Sequence, residues 1–325
     1  MLPRRETRQF FVCALPYRAP MKQVTLGRTN LTVGIAGLGC GGPSRLGTAR
    51  GATTDEAAAL VRLAFDHGVT FIDTAESYGT EPAVGQAIAE IGRDRVVLSS
   101  KQSVTADWKS DQFKSAEQFL ENLDASLKRL GTDYLDLYHA HGVMTHELDH
   151  TLDVIVPAMQ QAKAAGKIRH LALSEAFAHD TDHQALQQLL DRSDDFDVLM
   201  VGFTLLNPSA RLTVFPTTQE RGVGTLSMFT VRRALSNEQK RAETLAAMNL
   251  PGDCLDFLLD EAGSLPEAAY RFAAHEPGMD VILFGTGNAD HLKENIESCN
   301  KPPLSETAQS RLRELFGHRS DASGN

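Results

Sequence analysis

From Met21 onward, short apolar runs rich in β-branched residues alternate with longer stretches whose apolar positions recur every three or four residues. The runs are IAGLG, TFIDTA, RVVLSS, YLDLYHAH, IRHLALS, FDVLMVGF, VGTLSMF and DVILFG. Nearly continuous apolar runs suit parallel strands covered on both faces, since alternation is needed only where one face meets water. The intervening stretches read as amphipathic helices with legible ends. Thr53-Thr54-Asp55-Glu56 has the form of a capping box, and Gly68 stands just past the helix it opens. Ser115-Ala116-Glu117-Gln118 opens another, with Phe119, Leu123, Leu127 and Leu130 on one face before Gly131. The segment DVIVPAMQQAKAAGK ends at Gly166. Ahead of the first run, KQVTL and LTVGIAGLG flank Gly27-Arg28-Thr29-Asn30, which predicts a β-hairpin.

Eight strand candidates alternating with helices predict a (β/α)8 TIM barrel with an N-terminal β-hairpin and a C-terminal helix in PLSETAQSRLRELFG. An open doubly wound sheet is the structural alternative. No linker or low-complexity segment divides the chain, so residues 21–317 read as one domain, with 1–20 and 318–325 as a disordered extension and a disordered tail.

The chain has 325 residues, 42% of them hydrophobic, with 32 Lys plus Arg against 42 Asp plus Glu. A net charge of −10 opposes binding to phosphate backbones or anionic membranes. No apolar run reaches membrane-spanning length. MLPRRETRQ followed by FFVCAL resembles a short targeting segment, but Pro16 and Arg18 cut it off, and a cytoplasmic protein is expected. Cys13, Cys40, Cys254 and Cys299 form no CxxC pair, which predicts reduced thiols.

Two motifs match by spacing but not by context. Gly37-Leu38-Gly39-Cys40-Gly41-Gly42 fits GxGxxG, yet a dinucleotide fingerprint needs its last glycine to open a helix, and the capping box comes only at Thr53. His146-Glu147-Leu148-Asp149-His150 fits HExxH, yet it precedes the helical pattern that begins near Leu152 and Ile155. Zinc would need both histidines one turn apart on an established helix, so no metal is expected and a zinc hydrolase is the weakest reading.

Asp73 with Tyr78, then Lys101, then His141 follow three consecutive strand candidates. Strand C-terminal ends share one barrel face, so these groups would meet at one mouth. Carbonyl reduction by hydride needs a proton donor at the oxygen. A phenol can serve when a nearby ammonium lowers its pKa and a carboxylate holds that ammonium. An imidazole on the substrate oxygen supports the developing charge. His139 falls on the same strand face, one layer deeper.

With these residues in view, the chain resembles the aldo-keto reductases. The matching segments are LGRTNLTV, GLGCGG, FIDTAESYGTEPAVGQAI, VVLSSK, YLDLYHAHG, GKIRHLALSE, TLLNP, RGVGTL and FGTGNADHLKENI, from about Lys22 to Ile296. The resemblance implies a (β/α)8 barrel that binds NADPH, less often NADH, without a Rossmann domain. Its catalytic Asp, Tyr, Lys and His map onto Asp73, Tyr78, Lys101 and His141. Tyr78 would be the general acid in reduction and the base in alcohol oxidation.

The same resemblance places cofactor contacts at Ser174, Glu175, Met200, Ser227, Met228, Phe229, Gly285, Thr286, Gly287, Asn288, His291, Glu294 and Asn295. Five positions depart from the common pattern. Gly285 and His291 stand where NADPH-binding members often carry lysine and arginine, which removes charge-assisted partners from a 2′-phosphate. Glu175 replaces an asparagine, and Met200 a glutamine. Met228 stands where an aromatic usually stacks on the nicotinamide. Glu294 and Asn295 match an adenine-contacting pair. The cofactor expected is NADP, with NAD as the alternative. Trp108, in the loop from Gln102 to Lys114, is a candidate wall of the substrate pocket. The expected partner is a small carbonyl or alcohol, an aldehyde, ketone or sugar, handled by a monomer or weak homo-oligomer. A non-enzymatic, cofactor-sensing regulatory subunit of the same fold is the competing function.

Overall fold

Residues 20–106 and 112–325 are described by a computed structural model of the chain. The strands are β1 (Gln23–Thr25), β2 (Thr32–Gly34), β3 (Ala36–Gly39), β4 (Phe71–Asp73), β5 (Val97–Gln102), β6 (Leu135–Val143), β7 (Ile168–Glu175), β8 (Val198–Gly202), β9 (Gly224–Met228) and β10 (Val281–Phe284). The last eight close into a barrel in the order β10-β3-β4-β5-β6-β7-β8-β9, each pair parallel. This is the (β/α)8 architecture that the apolar runs predict, and the open sheet is excluded.

Helix ends follow their sequence signals. Thr53 and Glu56 close a capping box on the helix Thr54–Asp66, and Ser115 and Gln118 do the same for Ala116–Leu130. Gly131 ends the latter in a left-handed conformation. Phe119, Leu123, Leu127 and Leu130 are all buried beneath that helix. The last helix is Glu306–Phe316, capped by Ser305. Beyond it, Arg319 Nη2 donates to Met248 O, Ala322 is buried, and Gly324 O accepts from Ala234 N. The N-terminal segment 1–19 and Cys13 lie outside the described residues.

The barrel interior is apolar at its base. Phe71, Leu137, Ala172, Val198, Met200, Leu226 and Val281 fill it, and Leu26 and Val33 from the hairpin join the same cluster. The hairpin β1–β2 therefore stoppers the barrel floor, leaving the other end open for polar groups. Its turn is a short 3-10 segment, Gly27–Thr29, with Asn30 left-handed. Gly27 makes the close approach: it has φ +47°, and a Cβ there would lie 2.2 Å from Gly224 N. Gly27→Ala is therefore expected to lower stability by about 2–3 kcal/mol through backbone strain and overpacking. Urea denaturation of the variant against the parent measures this.

Candidate active site

Strand register explains why distant residues converge. Neighbouring strands pair Gly39 with Asp73, Asp73 with Ser99, and Lys101 with His139. Paired residues point to the same side, and so do residues two apart on one strand. Asp73, Ser99, Lys101, His139 and His141 thus face inward together, rising stepwise toward the mouth.

At the centre, Lys101 Nζ donates to Asp73 Oδ2 at 2.5 Å and to Thr74 O at 2.7 Å. Ser99 Oγ donates to Asp73 Oδ1 at 2.9 Å. Both charged side chains are buried. Burial pulls Lys101 toward neutrality, but Asp73 and Tyr78 outweigh it and hold the ammonium charged. Burial also pushes the Asp73 carboxyl upward, against the pull of Lys101 and Ser99.

Tyr78 arrives on a 3-10 turn, Glu76–Tyr78, that folds back over the mouth. Thr74 and Thr80 tie the two ends of that turn through their hydroxyls at 2.9 Å. The ring lies on bare backbone: a Cβ at Gly41 would sit 2.4 Å from Tyr78 Cε2. Its centroid is 5.0 Å from Lys101 Nζ, and its Oη is 3.4 Å from His141 Nε2. Burial raises the Tyr78 pKa, and Lys101 offsets only part of that rise. The phenol is accordingly a neutral acid here, because burial outweighs the lowering that the Lys101 ammonium exerts. His141 and His139 are held well below the usual imidazole value, by burial first and then by Lys101. A neutral His141 presents a ring nitrogen beside Tyr78 without competing with Lys101 for Asp73.

The opposite rim comes from β7, β8 and β9. Ser174 Oγ accepts from Gly142 N at 2.8 Å. Glu175 is buried, with its Oε1 accepting from Gly202 N at 2.7 Å, and both carboxylate oxygens lie within 3.0 Å of His183 Nδ1. Burial raises Glu175 and His183 pulls it back. Phe177 stacks on His183 at 5.3 Å and meets Phe229 edge-on at 5.5 Å. Gly202 admits the Phe177 ring, since a Cβ there would lie 2.0 Å from Cγ. His183 and Phe229 both hold left-handed backbone, at φ +59° and +67°. Such conformations in non-glycine residues gather where surrounding structure imposes them. Met200 belongs to the interior cluster, and Met228 packs against it from the mouth. Ser227 Oγ accepts from Thr230 Oγ1 and Leu283 N.

The loop after β10 ends at Asn288, whose side chain accepts from Asp290 N and His291 N and so caps the helix Ala289–Asn300. Gly285 and Gly287 are exposed while Thr286 is buried. His291 and Glu294 lie on the exposed helix face, with Asn295 half-buried. A shallow hollow beside this helix start is lined by Arg50, Gly51, Gly287 and Ala289. Glycines, a capped helix start, a hydroxyl and thioethers suit the parts of a nicotinamide dinucleotide: small residues admit a pyrophosphate, and Met228 can cover an apolar ring. Neither Gly285 nor His291 supplies a permanent cation.

The structure thus brings Asp73, Tyr78, Lys101 and His141 together. Trp108 lies outside the described residues. The HELDH residues diverge: His146 is exposed, Glu147 Oε2 accepts from Met144 N, and His150 donates to Lys114 O. GxGxxG runs into a turn and a 3-10 segment, Arg45–Arg50, before the helix at Thr54. Sequence reasoning passed over Ser99, though it stands two residues before Lys101 on the same inward face. It also passed over His183, Phe177 and Arg232, which carry no local signal.

Comparison with known proteins adds independent findings. The family described as Aldo/keto reductase family matches residues 37–316. The chain is similar to L-galactose dehydrogenase of Arabidopsis thaliana, 26% identical over 286 residues, covering 85% of this chain and 87% of that protein. It is also similar to NADH-specific methylglyoxal reductase of Escherichia coli K12, 27% identical over 332 residues, covering 91% and 98%. Among solved structures, the thermostable aldo-keto reductase Tm1743 with a bound inhibitor gives a TM-score of 0.72 at 25% identity, covering 91% of this chain and all of that one. The holo form of an aldo-keto reductase from Bacillus halodurans gives 0.71 at 24% identity, covering 91% and 96%, a likeness of fold alone.

The central ion pair makes a testable claim. Lys101→Met leaves Asp73 buried without its countercharge and is expected to cost about 3–5 kcal/mol. The double variant Lys101→Met with Asp73→Asn should recover part of that loss, because no uncompensated charge remains. Equal destabilisation by the single and double variants in denaturant titrations would contradict this account.

Proposed function

The chain belongs to the aldo/keto reductase family and is an oxidoreductase of carbonyl–alcohol type, and from that premise we propose that Tyr78 is its proton donor and acceptor. The carrying observation is the meeting of Tyr78 Oη with His141 Nε2 at 3.4 Å above the Lys101–Asp73 pair. In reduction, a carbonyl oxygen seated between Tyr78 and His141 receives the phenolic proton as negative charge develops on it. Lys101, held charged by Asp73, stabilises the phenolate left behind. His141, kept neutral by burial and by Lys101, donates a hydrogen bond to the same oxygen and fixes its direction. In alcohol oxidation the phenolate takes the proton back.

A nicotinamide dinucleotide held by Ser174, Glu175, Ser227, Met228, Phe229 and the 285–288 loop would supply or accept the hydride. Met200, lower in the barrel, would pack beneath that ring. Glu175 lacks the donor of the asparagine expected there, and both its oxygens are already engaged by His183, one of them also by Gly202 N. Thr286, Gly287 and Asn288 would face the phosphates, and Glu294 with Asn295 the adenine. We retain NADP as the physiological cofactor and NAD as a close competitor, given Gly285 and His291 and a relative that is named NADH-specific. Glu175, Met200 and Met228 are the observations that favour a cofactor sensor instead.

Tyr78→Phe is expected to lower kcat with aldehydes or sugars by about 10²–10⁴-fold while dinucleotide binding, followed by fluorescence, persists. Turnover at the parental rate would remove Tyr78 from its role; dinucleotide binding without turnover by the parent protein would favour the sensor. With no permanent cation at positions 285 and 291, kcat/KM for NADPH and NADH should agree within about tenfold. A preference of a thousandfold for NADPH would mean that another residue grips the 2′-phosphate.

A further inference from the structure

One cation at the mouth has no counterpart in the chemistry above. Arg232 leads into a short helix, Arg233–Ser236, just after β9. Its guanidinium lies 3.7 Å over the Phe229 ring. Stacking of this kind uses the planar face and leaves the in-plane N–H fork available. Its Nε is buried and has no hydrogen-bond partner among the described residues, and none of their carboxylates forms an ion pair with it. Lys101 and Lys114 of the site are engaged, Lys101 with Asp73 and Lys114 with Gln102 and Glu76, whereas Arg233 beside Arg232 is exposed. Burial pulls Arg232 below the usual guanidinium value, as for a charge short of compensation.

The side chain is held in place from several directions. Phe229 lies beneath it in left-handed backbone and is itself braced edge-on by Phe177. A Cβ on Gly42 would lie 4.0 Å from Arg232 Nη1, and one on Gly324 would lie 3.5 Å from Arg232 Cβ. Gly42 directly follows Gly41, the residue that carries the Tyr78 ring. Arg232 Nη1 thus comes near the backbone position that follows the one carrying the Tyr78 ring. The 285–288 loop packs along the same segment, with Gly285 near Gly39 O and Gly41 O and Gly287 against Gly47.

We propose that Arg232 is a specificity residue that grips an anionic group, a carboxylate or phosphate, on the carbonyl substrate while the carbonyl itself reaches Tyr78. A planar fork fixed on an aromatic face suits a two-point grip on such a group. The substrate class that follows is carbonyl compounds carrying a negative charge within a few bonds of the reacting carbon. This rests on the oxidoreductase reading and adds to it which substrates are preferred.

The test compares kcat/KM for 4-carboxybenzaldehyde and 4-nitrobenzaldehyde in the parent protein, Arg232→Met and Arg232→Lys. The carboxylate-to-nitro ratio is expected to fall about 10–100-fold in Arg232→Met, and less in Arg232→Lys, which keeps charge but loses the fork. A glyceraldehyde 3-phosphate and glyceraldehyde pair reads the phosphate source in the same way; a drop confined to one pair identifies the anion. An unchanged ratio in both pairs overturns the proposal. An unchanged ratio with weakened dinucleotide binding overturns it too, by placing Arg232 on the cofactor's phosphates. If the parent protein turns over neither these aldehydes nor ketones, sugars or alcohols with either dinucleotide, the oxidoreductase reading fails by itself. Calorimetric titration with benzoate and inorganic phosphate then decides the anion site: loss of binding in Arg232→Met supports it, and equal binding overturns it.

Discussion

An ammonium inside a barrel is tolerable only with a carboxylate beside it, because isolated charges lose several kcal/mol on leaving water. Lys101 and Asp73 meet that condition across adjacent strands, and much else follows from it. Asp73 is occupied by Lys101 and Ser99, while burial and the Lys101 charge keep His141 neutral above them. Thr74 contributes its carbonyl to Lys101, which anchors the chain just before the turn that carries Tyr78. The phenol is thus aimed by the same contacts that neutralise the buried charge.

The two sides of the mouth are built on different terms. On the β4–β6 side, every ionisable group of the cluster faces inward from a strand or the turn that follows it, where backbone hydrogen bonds limit its travel. On the β7–β9 side, Glu175, His183, Phe177, Phe229 and Arg232 form a continuous run of paired and stacked groups, and much of it stands on loops. Glu175 is compatible with burial there because His183 and Gly202 N satisfy it. Charge is balanced along this run until Arg232, where a cation faces the mouth.

Legibility in the sequence divided along similar lines. The strands and the helix caps were readable because each depends on neighbours a few residues apart: period, capping pairs, terminal glycines. Asp73, Lys101 and His141 were readable because each stands at the end of an apolar run, and alternation fixes the face it presents. Ser99 obeyed the same rule and required only that it be applied once more. The lowering of the Tyr78 pKa by Lys101 was legible, but the burial that outweighs it was not, since the depth of the phenol depends on how closely Gly41 lets the ring approach.

By itself, the order of residues determined the barrel, its N-terminal hairpin and the inward rank of acid, base and imidazole, because periodicity and capping are short-range physics. Only the folded chain decided that His183 would pair with Glu175, that Phe229 would lie beneath Arg232, and that Arg232 Nη1 would come near Gly42 beside the Tyr78 seat. Those contacts depend on barrel closure and on left-handed backbone at His183 and Phe229, a conformation that such residues do not announce locally.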